Sequence, residues 1–215
     1  MKYVDLTHFI SQDMPVYPGT EQPKFTPANS YEKDGFKETL LTMFSHTGTH
    51  MDPPAHLFRD KKTLDDMNID AFIGSALVID CTDLKDGDKV SIDHIKKYGD
   101  KAEKAEFLLF NFGYDKFWGK CEYFGDYPVL SDEVIDFIIT TKKKGVGLDT
   151  IGLDPIKDAS LTSHKKLFSN LDAVIIENLT NLDKLGDKLF TLFALPLKHK
   201  DADGSPIRAV ACIEE

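Results

Sequence analysis

Three histidines and one aspartate lie close together between residues 46 and 56, and imidazole and carboxylate are ligands that zinc, manganese and iron share. These residues are His46, His50, Asp52 and His56. Their positions differ by even numbers, so an extended segment would present all four side chains on one face. A helix is disfavoured there, because Gly48 and the pair Pro53–Pro54 interrupt it. The pattern therefore indicates a metal site on non-helical backbone.

A bend is needed if two of these histidines are to bind one metal ion. Four residues of a straight strand span roughly 13 Å, whereas metal–nitrogen bonds of about 2.0–2.1 Å require the donors to converge. Gly48 lies between His46 and His50 and has no Cβ, so it can adopt the positive φ that a bend requires. The hydroxyls of Thr47 and Thr49 can bond to the backbone groups that the bend leaves free.

The elements that must position this loop are predicted from apolar runs. Phe36–Phe44 is rich in Thr, Leu and Phe and predicts a strand that leads into the loop. Further buried strands are predicted at Ser75–Asp80, Glu106–Phe112, Val146–Thr150 and Ala173–Ile176. Between them, Ser131 is expected to cap a helix of Glu133–Lys144 that ends at Gly145. The alternation of strands and helices indicates an α/β fold.

Glu177 follows directly after the apolar run Ala173–Ile176. A carboxylate at that place is costly to bury unless it is paired or bound to a metal. His164 opens a basic turn or helix thirteen residues earlier and would be read alone as a surface histidine.

The composition excludes several classes of partner. The formal net charge of −10 argues against nucleic acid and anionic membranes. The sequence has no run of 18 apolar residues, which would predict a membrane span. Its N-terminus lacks the apolar core of a signal peptide. The three cysteines are far apart and odd in number, which predicts a cytoplasmic protein.

The segment His46-Thr-Gly-Thr-His50-Met-Asp52-Pro-Pro-Ala-His56 resembles the signature of the metal-dependent hydrolase family known as "putative cyclase". That family includes bacterial kynurenine formamidase (arylformamidase) and isatin hydrolase, and the spacing from His164 to Glu177 is near that of the bacterial formamidases. The resemblance covers nearly the whole chain. Its other segments are Asp5-Leu6-Thr7-His8, Val146-Gly147-Leu148-Asp149-Thr150 and Gly204-Ser205-Pro206-Ile207-Arg208-Ala209.

The resemblance implies one hydrolase domain over residues 1–215, of the swivelling β/β/α type with a mixed and partly barrel-like sheet. It also implies a homo-oligomer, a dimer or tetramer, in which an N-terminal segment reaches a neighbour's site. Two zinc ions per chain are expected, with manganese as the alternative. The implied ligands are His46, His50 and Asp52 for the first ion, and Asp52, His164 and Glu177 for the second.

The resemblance further implies that His56 carries the proton to the leaving nitrogen in amide hydrolysis. Tyr17 stands where bacterial kynurenine formamidases carry a tryptophan that contacts the aromatic substrate; an aromatic ring that merely packs on prolines is the alternative. The expected reaction is hydrolysis of N-formylkynurenine, a tryptophan catabolite, to kynurenine and formate. The alternatives are hydrolysis of a cyclic amide or ester, as in isatin hydrolase, and a metal-binding protein without turnover.

Overall fold

Strands alternate with short helices through the middle of the chain in the computed structural model, which describes residues 1–214. The strands are β1 (Lys2–Asp5), β2 (Lys24–Asn29), β3 (Glu38–Thr42), β4 (His50–Asp52), β5 (Ile73–Asp80), β6 (Lys89–Val90), β7 (Phe107–Asn111), β8 (Val129–Leu130), β9 (Gly145–Leu148), β10 (Val174–Glu177), β11 (Phe190–Pro196) and β12 (Ser205–Ile213). The α-helices are α1 (Tyr31–Asp34), α2 (Ile92–Lys96), α3 (Asp100–Lys104), α4 (Asp132–Thr140) and α5 (Thr162–Asn170). Short 3₁₀ helices include Pro54–His56 and Cys121–Phe124.

The main sheet closes on itself. Its strands run in the order β12-β11-β5-β7-β9-β10-β4, and β4 pairs with β12 to complete the ring, while β1 adds to the free edge of β12. The neighbours β5, β7, β9 and β10 are parallel and are joined by helical connections, whereas the remaining pairs in the ring are antiparallel. The expected α/β fold with a mixed, partly barrel-like sheet is therefore confirmed.

Alternation along the parallel strands separates two apolar cores. In β5, Ala76 and Val78 face a cluster inside the ring, and Leu77 and Ile79 face a second cluster that includes α4 and α5. Because successive side chains of a strand point to opposite faces and both faces are covered, the parallel strands are apolar over most of their length, with polar residues such as Asn111 and Glu177 at their carboxyl ends. The predicted buried strands all form, with bounds shifted by one or two residues.

The helix predicted at Glu133–Lys144 is wrong at its C-terminus. Helix α4 begins after Ser131, whose hydroxyl accepts a hydrogen bond from Val134 as expected, but it ends at Thr140. Lys142 then has a φ of 52°, and Lys143 turns inward and donates three hydrogen bonds of 2.7 Å to backbone carbonyls at the end of α3. Those carbonyls lack intrahelical partners, so a buried ammonium there is stabilising. Gly145 consequently begins β9 and does not end the helix.

A two-stranded hairpin of β2 and β3 leads into residues 46–56, which carry the predicted ligands of the first ion and are called the metal loop below. The strand predicted at Phe36–Phe44 is confirmed as the shorter β3, but all of its residues are exposed, including Leu40 at 58% and Leu41 at 51%. None of the helices within residues 1–214 is long and apolar enough to cross a membrane. The cytoplasmic location stays a prediction.

Candidate metal centre

The loop before β4 bends where the sequence predicts. Gly48 has a φ of +66°, and a Cβ at this position would lie 3.1 Å from Ile10, so both conformation and space favour glycine. The Thr47 hydroxyl donates to the carbonyl of Phe44, and the Thr49 hydroxyl donates to the carbonyl of Asn178. The bend therefore brings the backbone into β4 with its polar groups bonded.

Strand β4 places two candidate ligands on one face. It pairs antiparallel with β10, so that His50 lies directly opposite Glu177, and its other edge pairs with β12. His50 and Asp52 point to the same side, whereas Met51 points into the ring core and is fully buried. The site thus lies on the outer face of the ring, at the carboxyl end of β10.

The segment after β4 differs from the extended face expected for all four residues. Residues Pro54–His56 form a 3₁₀ turn, so His56 does not continue the strand. The Pro53–Pro54 pair explains this, since proline has a φ suited to the first turn of a helix and no N–H to donate to a ladder. The turn nevertheless carries the ring of His56 to 4.1 Å from that of His46, measured between centroids.

Helix α5 supplies His164 from its first turn. The imidazole is 4% exposed, contrary to the surface position that its basic neighbours suggest. Asp154 accepts hydrogen bonds from the backbone N–H of Ser163, from that of His164, and from Nδ1 of His164 at 2.7 Å. Burial opposes the charge of Asp154, but its bonds with His164 outweigh that effect and lower its pKa. Nε2 of His164 is thereby directed into the pocket.

The five predicted ligand side chains converge, with the three histidines arranged around two shared carboxylates. Asp52 Oδ1 lies 2.6 Å from His46 Nδ1 and 3.3 Å from His50 Nε2, while its Oδ2 lies 3.6 Å from His164 Nε2. Glu177 Oε2 lies 3.5 Å from His50 Nε2, and its Oε1 lies 3.3 Å from His164 Nε2. One oxygen of each carboxylate therefore faces the His46–His50 side and the other faces His164.

These side chains polarise one another strongly. Burial opposes ionisation of Asp52, yet the neighbouring histidines hold its pKa well below the usual range. Burial likewise opposes the charged form of His50 and of His164, but their carboxylate neighbours outweigh it. Asp52 and Glu177 raise the pKa of His50 to about 9. Asp154, Asp52 and Glu177 raise the pKa of His164 well above its usual range. Positive charge on the imidazoles thus offsets the negative charge of the buried carboxylates, and bound cations could offset it in the same way.

His56 has a different electrostatic environment. Burial lowers its pKa, because the attraction of Asp52 does not compensate for desolvation and the other imidazoles repel a proton there. His56 is therefore neutral near pH 7 and can accept a proton. It also lies close enough to His46 and Asp52 to form a three-ligand group with them.

These groups form the floor of a pocket of about 650 Å³, within the range of small-molecule sites. Tyr17 lies in its wall, 41% exposed, with its hydroxyl 3.5 Å from the carbonyl of Ile156. Further wall residues are largely apolar: Met14, Pro15, Val16, Phe44, Ile151, Ile156 and Leu161.

Several contacts around the pocket were not foreseen. Trp118 is not among the pocket-lining residues; its ring stacks on His8 at 3.9 Å and packs edge-on against Tyr123 at 5.2 Å. Asp203 lies 3.5 Å from His46 Nε2, which is buried and has no hydrogen-bond partner within residues 1–214. Asn178, next to Glu177, bonds to the metal loop. No spacing in the sequence indicates these contacts, since they join distant segments.

Comparison with known proteins gives matches over most or nearly all of this chain. The family described as "Putative cyclase" matches residues 4–155. A kynurenine formamidase from Bacillus anthracis is 32% identical over 211 residues, which are 97% of this chain and 96% of that protein.

Solved structures have the same fold. Isatin hydrolase A from Labrenzia aggregata, bound to benzyl benzoate, superposes with a TM-score of 0.88 at 26% identity, covering 100% of this chain and 94% of that chain. A structure described as a potential metal-dependent hydrolase with cyclase activity gives a TM-score of 0.78 at 26% identity, covering 100% and 98%. The metal-binding protein without turnover is therefore the weaker of the alternatives. The site at the end of β10 and the match over most of the sequence lead to one conclusion: this chain belongs to the putative cyclase family of metal-dependent hydrolases.

Proposed function

We propose that this protein hydrolyses the amide bond of N-formyl arylamines, with N-formylkynurenine as the leading substrate and kynurenine and formate as products. The observation that carries the proposal is the convergence of His46, His50, Asp52, His164 and Glu177 at the floor of an apolar pocket, with His56 beside them. The named formamidase relatives support the reaction type.

The donor set fits a pair of divalent cations. His50 donates from Nδ1 to the carbonyl of Gly48, and His164 donates from Nδ1 to Asp154, so in each ring Nε2 is left to bind a cation. Asp52 and Glu177 each present one oxygen to each side. Three imidazoles together with carboxylates favour zinc over manganese, since manganese prefers oxygen ligands.

Each residue has a distinct role in the proposed site. His46, His50 and Asp52 would hold the first ion, and Asp52, His164 and Glu177 the second. When bound, the ions would supply polarisation of the substrate carbonyl and a water that loses its proton near neutral pH.

His56 would carry the proton in this reaction. Its ring is neutral near pH 7, because burial lowers its pKa, so it can take a proton at the site and deliver it to the leaving nitrogen of the arylamine. Its ring lies beside that of His46 in the lining of the pocket, which supports a position next to the scissile bond of a substrate whose ring would lie on the apolar wall.

Tyr17 would contact that aromatic ring. The pocket floor is polar and the wall is apolar, which orients an aryl amide with its amide group inward. The half-exposed phenol lies in the lining of the pocket and would offer a flat face for stacking.

Hydrolysis of a cyclic aryl amide is the second candidate. It is favoured by the fold shared with an isatin hydrolase in complex with thioisatinate, which superposes with a TM-score of 0.88 at 24% identity and covers 100% of this chain and 93% of that chain. Linear and cyclic amides need the same polarised carbonyl, but only the linear substrate releases a second product.

The test combines a substrate panel with a metal titration. Metal-free protein is titrated with zinc while hydrolysis of N-formylkynurenine, formanilide and isatin is followed. We expect activity on the formyl amides to require two equivalents, and His164→Ala to lower the zinc stoichiometry from two to one. Full activity at one equivalent would refute the two-ion site, and turnover of isatin alone would refute the formamidase.

The hairpin of β2 and β3 supports a homo-oligomer, with a dimer or tetramer as the expected form. A two-stranded sheet is marginally stable alone, and this one exposes Phe36, Leu40 and Leu41 to solvent beside the pocket residue Phe44. Light scattering should show an assembly that Leu41→Glu dissociates and the neighbouring exposed substitution Thr39→Glu does not. A monomeric wild type would refute it.

A further inference from the structure

Asn178 bonds to more segments of the site than its position after Glu177 suggests. Its backbone N–H donates to the carbonyl of Thr150 after β9, and its own carbonyl accepts from the Thr49 hydroxyl in the metal loop. It is 5% exposed and has a φ of 58°, a left-handed conformation that asparagine tolerates better than most residues. Three atoms lie within 3.5 Å of its side-chain amide: the carbonyl oxygen of Gly48, Nδ1 of His50 and the hydroxyl oxygen of Tyr123.

The amide of Asn178 faces the carbonyl that orients His50. Its Nδ2 donates to the carbonyl of Gly48 at 2.8 Å, and the same carbonyl accepts from Nδ1 of His50 at 2.9 Å. The two donors lie 3.5 Å apart, as expected for two N–H groups that share one acceptor. The opposite amide orientation would place Oδ1 against the carbonyl of Gly48, so the network fixes which way the amide points.

Tyr123 holds the other end of this amide. Its hydroxyl donates to Oδ1 of Asn178 at 2.7 Å, and the ring is fully buried. Burial raises the pKa of Tyr123 well above its usual range, so the hydroxyl keeps its proton and remains a donor. Asn178 is therefore bonded at both ends, to Tyr123 on one side and to the bend at Gly48 on the other.

The contacts return to the metal loop by a second path. Tyr123 packs edge-on against Trp118, which stacks on His8 with ring planes 4° apart. The backbone N–H of His8 donates to the Thr49 hydroxyl, and that hydroxyl donates to Asn178. These five residues form a closed ring of contacts, in which each residue contacts the next.

We propose that Asn178, held by Tyr123, is a positioning residue that keeps the Gly48 carbonyl in place to bind Nδ1 of His50, and so keeps Nε2 of His50 directed at Asp52 and Glu177. The proposal rests on the metal site proposed above. It differs from a general packing role, because it acts on one ligand of the first ion and leaves His164, which Asp154 orients, unaffected.

Two substitutions separate this role from simple loss of stability. Asn178→Gly removes the amide but keeps the left-handed backbone, which glycine adopts without strain. Tyr123→Phe removes the hydroxyl that holds the amide and keeps the ring on Trp118. The matched control is Tyr114→Phe, which deletes a tyrosine hydroxyl whose hydrogen-bond partner is Asp86 and not Asn178.

The measurement is zinc affinity, by chelator competition with the full-length protein, with the two equivalents resolved. We expect Asn178→Gly to weaken one equivalent by roughly 10–100-fold, the usual effect of losing a contact that orients a ligand, and Tyr123→Phe to weaken the same equivalent by about 10-fold. The other equivalent and the Tyr114→Phe control should match the wild type. Because Tyr123 acts through Asn178, the double variant should be no weaker than Asn178→Gly alone.

A second readout does not need metal. In the metal-free protein, the Nδ1 proton of His50 should give a slowly exchanging NMR signal that is lost or shifted in both variants. Wild-type zinc affinity in both variants, or effects of the two substitutions that add fully, would overturn the proposal. If Asn178→Gly fails to fold, equal affinities of Tyr123→Phe and Tyr114→Phe would overturn it. A wild type that binds no zinc would instead refute the metal site, and the His50 signal would still report the contact.

Discussion

His8 gives a prediction whose size follows from its surroundings. Its ring is half-buried against Trp118, and its Nε2 has no hydrogen-bond partner in the described part of the chain. Burial lowers the pKa of this imidazole to about 4, although Asp115 acts in the opposite direction. The folded protein therefore disfavours the charged ring, whereas the unfolded chain takes up a proton near pH 6.5.

The sign of the pH effect follows from that difference. Because the folded pKa is depressed, the contribution to stability is complete above pH 6.5 and is lost as the pH falls toward 4. Between pH 7 and pH 5 a shift from 6.5 to about 4 corresponds to about 2 kcal/mol of unfolding free energy, and solvent screening of the half-buried ring reduces the expected value to about 1 kcal/mol.

The assay compares two substitutions at two pH values. His8→Phe keeps the stacking surface and removes the titration, and His8→Gln removes both. Urea unfolding of the metal-free protein at pH 7 and pH 5 should show a loss of unfolding free energy that is smaller by about 1 kcal/mol in both variants than in the wild type. Other groups cancel in this comparison, including Asp149, whose pKa burial raises to about 7. A pH dependence equal to that of the wild type in both variants would refute the reasoning.

The other predictions concern the pocket and are read from purified variants. His50→Ala should lose zinc and activity together, because a site with three protein ligands tolerates ligand loss poorly; full zinc occupancy after gel filtration would contradict its role. His56→Ala should keep both zinc ions and lose roughly 10²–10⁴-fold in turnover, as for an acid–base group, and loss of zinc would make it a ligand. Tyr17→Ala should raise KM for aryl formamides more than for alkyl formamides, since the ring supplies stacking area; equal changes would place Tyr17 in the scaffold.

The features that the sequence predicts correctly are local. The bend at Gly48 depends on one glycine with a φ of +66°, and the shared face of His50 and Asp52 depends on the two-residue period of a strand. The buried strands are recognisable because both of their faces are apolar. The extended course through His56 was wrong for an equally local reason, since the pair of prolines favours the 3₁₀ turn that follows.

Convergence of the site could not be predicted from local patterns. Glu177 lies opposite His50 only because β10 pairs with β4, a contact across more than a hundred residues, and the closed ring sets that register. A buried carboxylate at a strand end indicates that Glu177 needs a partner, but not which one. The stack of His8 on Trp118 and the bonds of Asn178 have no sequence signal, because each depends on side-chain geometry between distant segments.

The three histidines differ in how firmly each ring is held at the nitrogen that does not face Asp52 or Glu177. Nδ1 of His164 bonds to a buried carboxylate at 2.7 Å, Nδ1 of His50 bonds to a backbone carbonyl at 2.9 Å, and Nε2 of His46 lies 3.5 Å from Asp203 without a hydrogen bond. A carboxylate partner both orients an imidazole and increases its basicity as a ligand, so His164 is the best-prepared of the three. The proposed ligands of the first ion depend more on the conformation of the loop at Gly48, because within residues 1–214 no side-chain carboxylate forms a hydrogen bond with Nε2 of His46 or Nδ1 of His50. Sequence changes that disturb this loop should therefore lower occupancy of the first ion before they affect the second.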